Sequence, residues 1–342
     1  MCSITNYDIK IYNIFFEKYK YTKSKLFLAN QLFFLFSLKN CQQVLRYKIL
    51  LENNLIRDTL NLNGLVPESD LRTLIFDTLD ESRRKHLLNI IYKKSYKTIP
   101  HILTDIDDTL FPNSSNIKFI NFSGKDASWV NHKPYPGIKS FYNSFYQNID
   151  FKPARYSTIL SATPDFMKKG RIKDKRIISI LGDNFGFLSG KNSKINILWD
   201  SILGTYNGYG LLSPEPNNLA KTKLLKFVQY SKIFPEYNLI FIGDNGQGDL
   251  IAGLKMLNIN KNCLIFIHNL YVNGKYIFDK KKINSYNNKR LFFFDNYLNL
   301  SLIFVKLKLI RYQDFGKIKS DFIIDINSIN NLKSFKLYNK YN

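Results

Sequence analysis

Four short apolar runs, set between helical stretches, constrain this chain more than any other feature. They are His101–Thr104, Ser157–Leu160, Leu239–Ile242 and Leu264–Ile267. Each is too short for a helix and is bounded by polar or turn-forming residues. Apolar residues at helical spacing fill the intervals, over Ile138–Gln147, from Asp165 through Lys169 and beyond, over Asn218–Lys232, and over Asp249–Leu257. Strands alternating with helices predict an α/β fold in which a parallel sheet is flanked by helices on both faces. Three of the runs end on a polar group: Asp105, Ser161 and Gly243-Asp244. In a parallel sheet these carboxyl ends share one edge, and open α/β sheets bind ligands there. Residues distant in sequence are thereby expected at one site.

The first of those ends is the most acidic. Asp105-Ile106-Asp107-Asp108-Thr109 sets three carboxylates within four positions. Asp is also at home in turns and helix caps, so the stretch takes its meaning from the motifs downstream of it. Carboxylates this close repel one another, and a divalent cation relieves the repulsion; hard oxygen ligands suit Mg²⁺. The loop Gly243-Asp244-Asn245-Gly246-Gln247-Gly248-Asp249 adds two more carboxylates, with glycines that let the backbone turn sharply. The expected metal set is Asp105, Asp107, Asp244 and Asp249. An aspartate at a strand end can attack phosphorus and form an aspartyl-phosphate, and a cation neutralises the charges that oppose the attack. Asp105 is the expected nucleophile and Asp107 the expected general acid/base. Ser161 and the Ala162 N–H are expected donors to phosphoryl oxygens. A lysine should add positive charge, and two are in range. Lys221 is in phase with Leu224, Leu225 and Val228 and is expected to face inward, whereas Lys223 lies nearer the Phe227–Tyr230 face.

The 342 residues suffice for about two domains, and 45% hydrophobic content excludes a disordered chain. The net charge of +23 favours attraction to phosphates on nucleic acid or anionic lipid. The lysines are scattered, however, in a chain rich in Lys, Asn, Ile, Tyr and Phe throughout, so compositional bias is the preferred explanation. Cys2, Cys41 and Cys263 show no CxxC spacing, which argues against a disulfide framework or zinc site and fits a reducing, cytoplasmic compartment. The Leu26–Leu38 run is too short to span a bilayer and lacks a signal cleavage site. A buried helix is expected there, with a membrane-surface helix as the alternative. Residues 1–96 read as a mostly helical region. A helix-start signal lies at Pro67-Glu68-Ser69-Asp70, and Leu71, Leu74, Ile75 and Leu79, then Leu87, Leu88 and Ile91, come after it at helical spacing. Ser82–Lys85 reads as a solvated face and His86 as structural. Residues 97–315 form the expected catalytic domain and 316–342 a tail.

Taken together, Asp-Ile-Asp-Asp-Thr after a strand, Ser161 after a second, a lysine on a helix and the GDxxxxD loop resemble the four motifs of the haloacid dehalogenase superfamily. The resemblance implies a Rossmann-like core and Mg²⁺-dependent phosphoryl transfer through Asp105, with Asp107 as acid/base. A narrower pattern is similar to the catalytic domain of actin-patch type phosphatidate phosphatases. It comprises Pro136-Gly137-Ile138 with Phe141-Tyr142, Ser161-Ala162-Thr163-Pro164, Phe234-Pro235, the Gly243–Asp249 loop and Phe293–Tyr297, and it covers Ile99 to Asp314. Asn245 stands where that family commonly has serine, His268-Asn269 where it tends to have arginine, and the second motif departs as Leu-Ser-Ala-Thr-Pro-Asp. Spacing to Phe234-Pro235 favours Lys223, against the helical phase of Lys221. The resemblance implies a phospholipid substrate, phosphatidate, and the short insert Phe111–Pro134 leaves the site uncapped, open to a membrane-bound ester. A protein or nucleotide phosphatase is the alternative within the same chemistry. A catalytically silent basic module binding RNA or anionic lipid is the alternative outside it; nucleic acid is not the expected partner.

Overall fold

The computed structural model describes residues 36, 40–52, 71–94, 98–113, 125–164, 174–182, 185–190 and 216–329. The Leu26–Leu38 run apart from Phe36, the Pro67–Asp70 signal and the helix expected from Asp165 lie outside the described residues. The described helices are α1 (Cys41–Glu52), α2 (Glu81–Lys93), α3 (Ile138–Gln147), α4 (Lys175–Leu181), α5 (Pro216–Ile233), α6 (Asp249–Ile259), α7 (Lys280–Ser285), α8 (Tyr297–Lys306) and α9 (Tyr312–Asn327). The strands are β1 (Ile99–Thr104), β2 (Ser157–Pro164), β3 (Phe185–Gly190), β4 (Tyr237–Asp244), β5 (Leu264–His268), β6 (Tyr271–Val272), β7 (Lys275–Tyr276) and β8 (Leu291–Phe294).

Six strands form one parallel sheet in the order β3-β2-β1-β4-β5-β8. The chain builds outward from β1 through β2 to β3, then returns to lay β4 on the other side of β1. This is the doubly wound, Rossmann-like order, and its switch point lies between β1 and β4. Central strands buried on both faces must be apolar throughout, and β1 and β4 are buried along almost their whole length. Helices α2, α5 and α6 pack together on the sheet, and α3, α4, α8 and α9 form a second group. No helix among the described residues is long and apolar enough to cross a membrane.

The sheet has six strands, not four. β3 is an edge strand of Phe-Gly-Phe-Leu-Ser-Gly that, among the described residues, pairs only with β2, and its glycines hide the apolar run. β8 pairs with β5 over four residues that read more simply as the lead-in to α8. β2 does not stop at Ser161; it continues to Pro164 through a register irregularity after Leu160. The boundary expected at 316 falls inside α9, which buries Ile318, Phe322 and Ile326 and packs on α3. β6 and β7 form a hairpin whose Asn273 (φ 51°) and Gly274 (φ 83°) both occupy the left-handed region, as a two-residue turn of this kind requires.

Two buried polar clusters sit in the fold away from the carboxyl edge. Lys48 of α1 lies 2.6 Å from Glu236, just before β4, with both side chains fully buried, and donates to the Ile233 carbonyl at 2.9 Å. Burial lowers the Lys48 pKa, and Glu236 only partly opposes the shift. His101 of β1 stacks on Tyr237 with ring centroids 4.2 Å apart. Its Nε2 lies 3.0 Å from Thr158 Oγ1 and 3.2 Å from the Tyr230 hydroxyl, while its Nδ1 is buried without a partner. Burial pushes the His101 imidazole down to about 3.

Candidate active site

Asp105 directly follows β1, and its N–H donates to the Ile242 carbonyl of β4 at 2.9 Å. Asp244 ends β4 and Asp249 opens α6. The hydrogen-bonded register of β1 with β4 thus carries all three acids to the switch point. One carboxylate oxygen from each lies within 4.8 Å of the others, and all three residues are buried. Two glycines permit the approach. A Cβ at Gly243 would overlap the Asp249 carboxylate, and one at Gly248, where φ is 91°, would overlap the Pro216 carbonyl. Asp244 Oδ1 accepts the Gly246 and Gln247 N–H groups, the latter at 3.1 Å, whereas Oδ2 is buried with no partner.

Lys223 of α5 is the lysine at this site. Its Nζ lies 2.8 Å from Asp105 Oδ1 and pairs with Asp249 Oδ1. Burial pulls its pKa down, but Asp105, Asp249 and Asp244 together outweigh that and raise it. Burial also drives the Asp244 carboxyl well above the usual range, reinforced by Asp105 and Asp108. Asp249 is raised in the same way by burial, with Lys223 opposing. Lys221, expected inward by helical phase, is exposed. The inward stripe of α5 is Ala220, Lys223, Phe227, Tyr230 and Ile233, while Leu225, in phase with Lys221, is 56% exposed. A buried lysine in the stripe disguised its phase.

The cluster suits a cation on its own chemistry. All its donors are carboxylate oxygens, the Asp244 Oδ2 atom is orphaned, and one ammonium faces three carboxylates. Such a set fits a hard divalent ion, Mg²⁺ among them. Asp107, expected among the ligands, does not join the three. Its half-buried carboxylate instead accepts the Asn113 side-chain amide at 2.7 Å. The turn after Asp105 buries Ile106 and pairs Asp107 with Phe111. Ser161 is buried in β2. The pairing of Thr104 with Ile159 sets Ser161 one step beyond the level of Asp105, on the same edge of the sheet. Ala162 beside it is half-buried.

Behind the acidic turn lies a brace that no local pattern announced. Asp108, at φ 57°, accepts the backbone N–H groups of Asn113 (3.3 Å), Asp126 (3.2 Å) and Lys125. It thus holds Asn113 and Lys125, twelve positions apart in sequence, on one carboxylate. Burial and the nearby Asp126 push the Asp108 carboxyl up to about 7, against the pull of those three N–H groups. Asp126 in turn accepts from the Tyr135 hydroxyl at 2.6 Å and the Tyr271 N–H at 2.9 Å. The Asp108 carbonyl lies 2.8 Å from His268 Nδ1, and the Thr109 carbonyl accepts the Tyr297 hydroxyl at 2.8 Å. Tyr142 donates to Thr104 Oγ1 at 3.0 Å. Every one of these contacts but the Asn113 bond joins residues more than eight positions apart, which is why spacing alone did not reveal them.

No protein-family model, no curated protein and no solved structure matches the chain. The chemistry open to the site therefore rests on its own geometry: a buried aspartate at a strand end, a paired ammonium, a carboxylate set suited to a divalent ion, and a separate carboxylate on the same turn.

Proposed function

We propose that this chain is a Mg²⁺-dependent phosphomonoesterase of the haloacid dehalogenase type, working through an aspartyl-phosphate on Asp105, with phosphatidate as its favoured substrate. The observation that carries the reading is the buried Asp105 at the switch point, paired with Lys223 and facing Asp244 and Asp249. The order of the four motifs supports the superfamily, and the flanking Pro-Gly, Phe-Pro and Phe-Phe-Asp-Asn-Tyr segments support the phosphatidate phosphatase.

Asp105, Asp244 and Asp249 would hold the ion, which supplies positive charge that lets an anionic ester approach an anionic nucleophile. An oxygen of Asp105 forms a bond to phosphorus as the ester P–O bond breaks. Asp107, on the other side of the turn, delivers its proton to the leaving alcohol oxygen; the Asn113 amide fixes its carboxylate. Asp107 then takes a proton from water, whose oxygen attacks the phosphorus. Inorganic phosphate leaves and the Asp105 carboxylate is restored. Lys223 keeps Asp105 in its attacking orientation and offsets charge on the phosphoryl group, and the Ser161 hydroxyl and Ala162 N–H donate to phosphoryl oxygens.

The test is a phosphatase screen of the purified full chain with Mg²⁺, using phosphatidate, nucleotide and phosphopeptide substrates beside a small soluble phosphate ester. Release of phosphate from phosphatidate, lost in Asp105→Asn, is the expected result. Hydrolysis of a nucleotide or phosphopeptide alone would reassign the substrate, and no Mg²⁺-dependent hydrolysis of any ester would overturn the reading.

A further inference from the structure

The β6–β7 hairpin and the start of α7 border the carboxyl edge beside the site: Phe278, just before α7, bonds Asn269, which directly follows β5. The hairpin leaves β5 through Asn269 and Leu270. Asn245 of the acidic loop donates to Asn269 Oδ1 at 2.9 Å and accepts the Leu270 N–H at 3.1 Å. On the other side, the Ala127 N–H donates to the Tyr271 carbonyl at 2.8 Å. This rim is strongly one-signed. From Asn273 to Ser285 the charged residues are Lys275, Lys280, Lys281, Lys282 and a lone acid, Asp279, and all four lysines are exposed. Asp279 is the N-cap of α7, accepting the Lys282 N–H at 2.7 Å. Lys125, also exposed, adds a fifth lysine from the neighbouring segment. On α9, by contrast, Asp314, Asp321 and Asp325 offset Lys317 and Lys319. The rim thus carries an unbalanced positive charge that α9 does not.

We propose that this rim docks the protein on the surface of an anionic lipid bilayer, with the carboxyl edge of the sheet turned toward the headgroups. Single-stranded nucleic acid would require open aromatic faces for base stacking. Here Tyr271 and Tyr276 pack on each other at 5.3 Å, Tyr286 packs on Phe293 at 5.3 Å, and Lys282 lies over the Tyr286 ring at 5.5 Å. The rings are engaged within the protein, while Ile277, between the hairpin and the lysines, is 39% exposed. Lysines around an exposed aliphatic side chain suit the headgroup boundary. That docking delivers substrate rests on the phosphatidate reading; that the rim binds lipid does not.

The test is co-sedimentation of the full chain with phosphatidylcholine vesicles, with and without phosphatidylserine, at low and high salt. Binding is expected only with phosphatidylserine and should weaken as salt rises. Lys280→Ala/Lys281→Ala/Lys282→Ala should lower it about a hundredfold, three charges at about 1 kcal/mol each, with an unchanged circular dichroism spectrum. Lys317→Ala/Lys319→Ala on α9 should leave it unchanged. Absence of phosphatidylserine-dependent binding, undiminished binding by the triple variant, or equal weakening by the α9 variant would overturn the assignment. Capture of an RNA oligonucleotide through the same lysines, without vesicle binding, would overturn it in favour of nucleic acid. Because the readout is binding, a protein that binds vesicles but hydrolyses no ester refutes the phosphatase reading and leaves docking intact, and the converse result refutes docking alone.

Discussion

The Lys223 ammonium lies 2.8 Å from Asp105 Oδ1 and also pairs with Asp249, so one buried cation joins the end of β1 to the start of α6. Lys223→Met leaves two buried carboxylates without it. Breaking a buried pair from one side typically costs about 3–5 kcal/mol, and unfolding in urea should show a loss of that order together with a collapse of turnover. Lys221→Met, on the exposed face of α5, should change neither. Damage from Lys221→Met with Lys223→Met silent would reverse the assignment.

Asp105→Asn keeps the shape of the proposed nucleophile and removes its charge. Asp249 still pairs with Lys223, so the fold should survive with a cooperative transition. Turnover should fall by roughly a thousandfold or more, because a nucleophile acts with its partners as a unit. Substantial activity in a purified, folded variant would show that another group attacks.

Mg²⁺ should raise the unfolding midpoint, since it would bind the folded carboxylate set and not the unfolded chain. At a hundred times its dissociation constant such a ligand adds about 2.7 kcal/mol. Asp244→Asn removes a buried charge with an orphaned oxygen. It should stabilise the metal-free protein and abolish the Mg²⁺ response. Excess EDTA should abolish phosphatase activity, and Mg²⁺ should restore it; activity that persists in chelator argues for metal-free chemistry.

The convergence of Asp105 and Asp244 could be read from the sequence because both end apolar runs, and parallel strands end on one edge. Lys223 could not be chosen over Lys221 in that way. The two lie about 200° apart on a helix, and the face that turns inward is decided by how α5 meets the sheet. Lys223 and Lys226, both buried, make the true stripe look polar. Asp107 was legible as an acid but not as one that bonds Asn113 and stays outside the three-carboxylate cluster, because the Asp107–Phe111 bridge shapes the turn and has no signature in residue type. Asp126 and Tyr271 carried no signal at all, and His268 drew notice only as a departure from the family pattern. They reach the acidic turn only after the chain has folded across β5 and the hairpin. The glycine-bearing edge strand β3 and the four-residue β8 escaped because short strands draw their stability from their neighbours.

His101 makes the stability of the fold sensitive to acid. Its folded pKa of about 3 lies below the ordinary histidine value of about 6.5. The unfolded chain therefore takes up a proton that the folded one refuses. The contribution is fully present above about pH 6.5 and is lost as pH falls toward 3. At pH 5 this one group should cost about 2 kcal/mol relative to pH 7. Urea midpoints between pH 7.5 and 4.5 should fall more steeply in the parent than in His101→Leu; parallel curves would assign the acid sensitivity elsewhere.

Lys48 and Glu236 make the same kind of demand on α1. Lys48→Met strands a fully buried carboxylate and should destabilise by about 3–5 kcal/mol, whereas Lys48→Met/Glu236→Leu should recover much of that loss. A double-mutant cycle in urea measures the coupling. Additive losses would mean that the pair does not act together.

The two ends of segment 114–124 meet at a single side chain, Asp108, through the N–H groups of Asn113 and Lys125. Asn113 and Lys125 are thereby held at a fixed separation by their own bonds to Asp108. Closing a longer connection between two such fixed points is cheap, about 0.6 kcal/mol for each doubling of length. The acidic turn is thereby insulated from what is grafted between those anchors. A chain built this way can accept a longer insertion, or a whole added domain, between Asn113 and Lys125, and so change what reaches the site while Asp105 stays where it is.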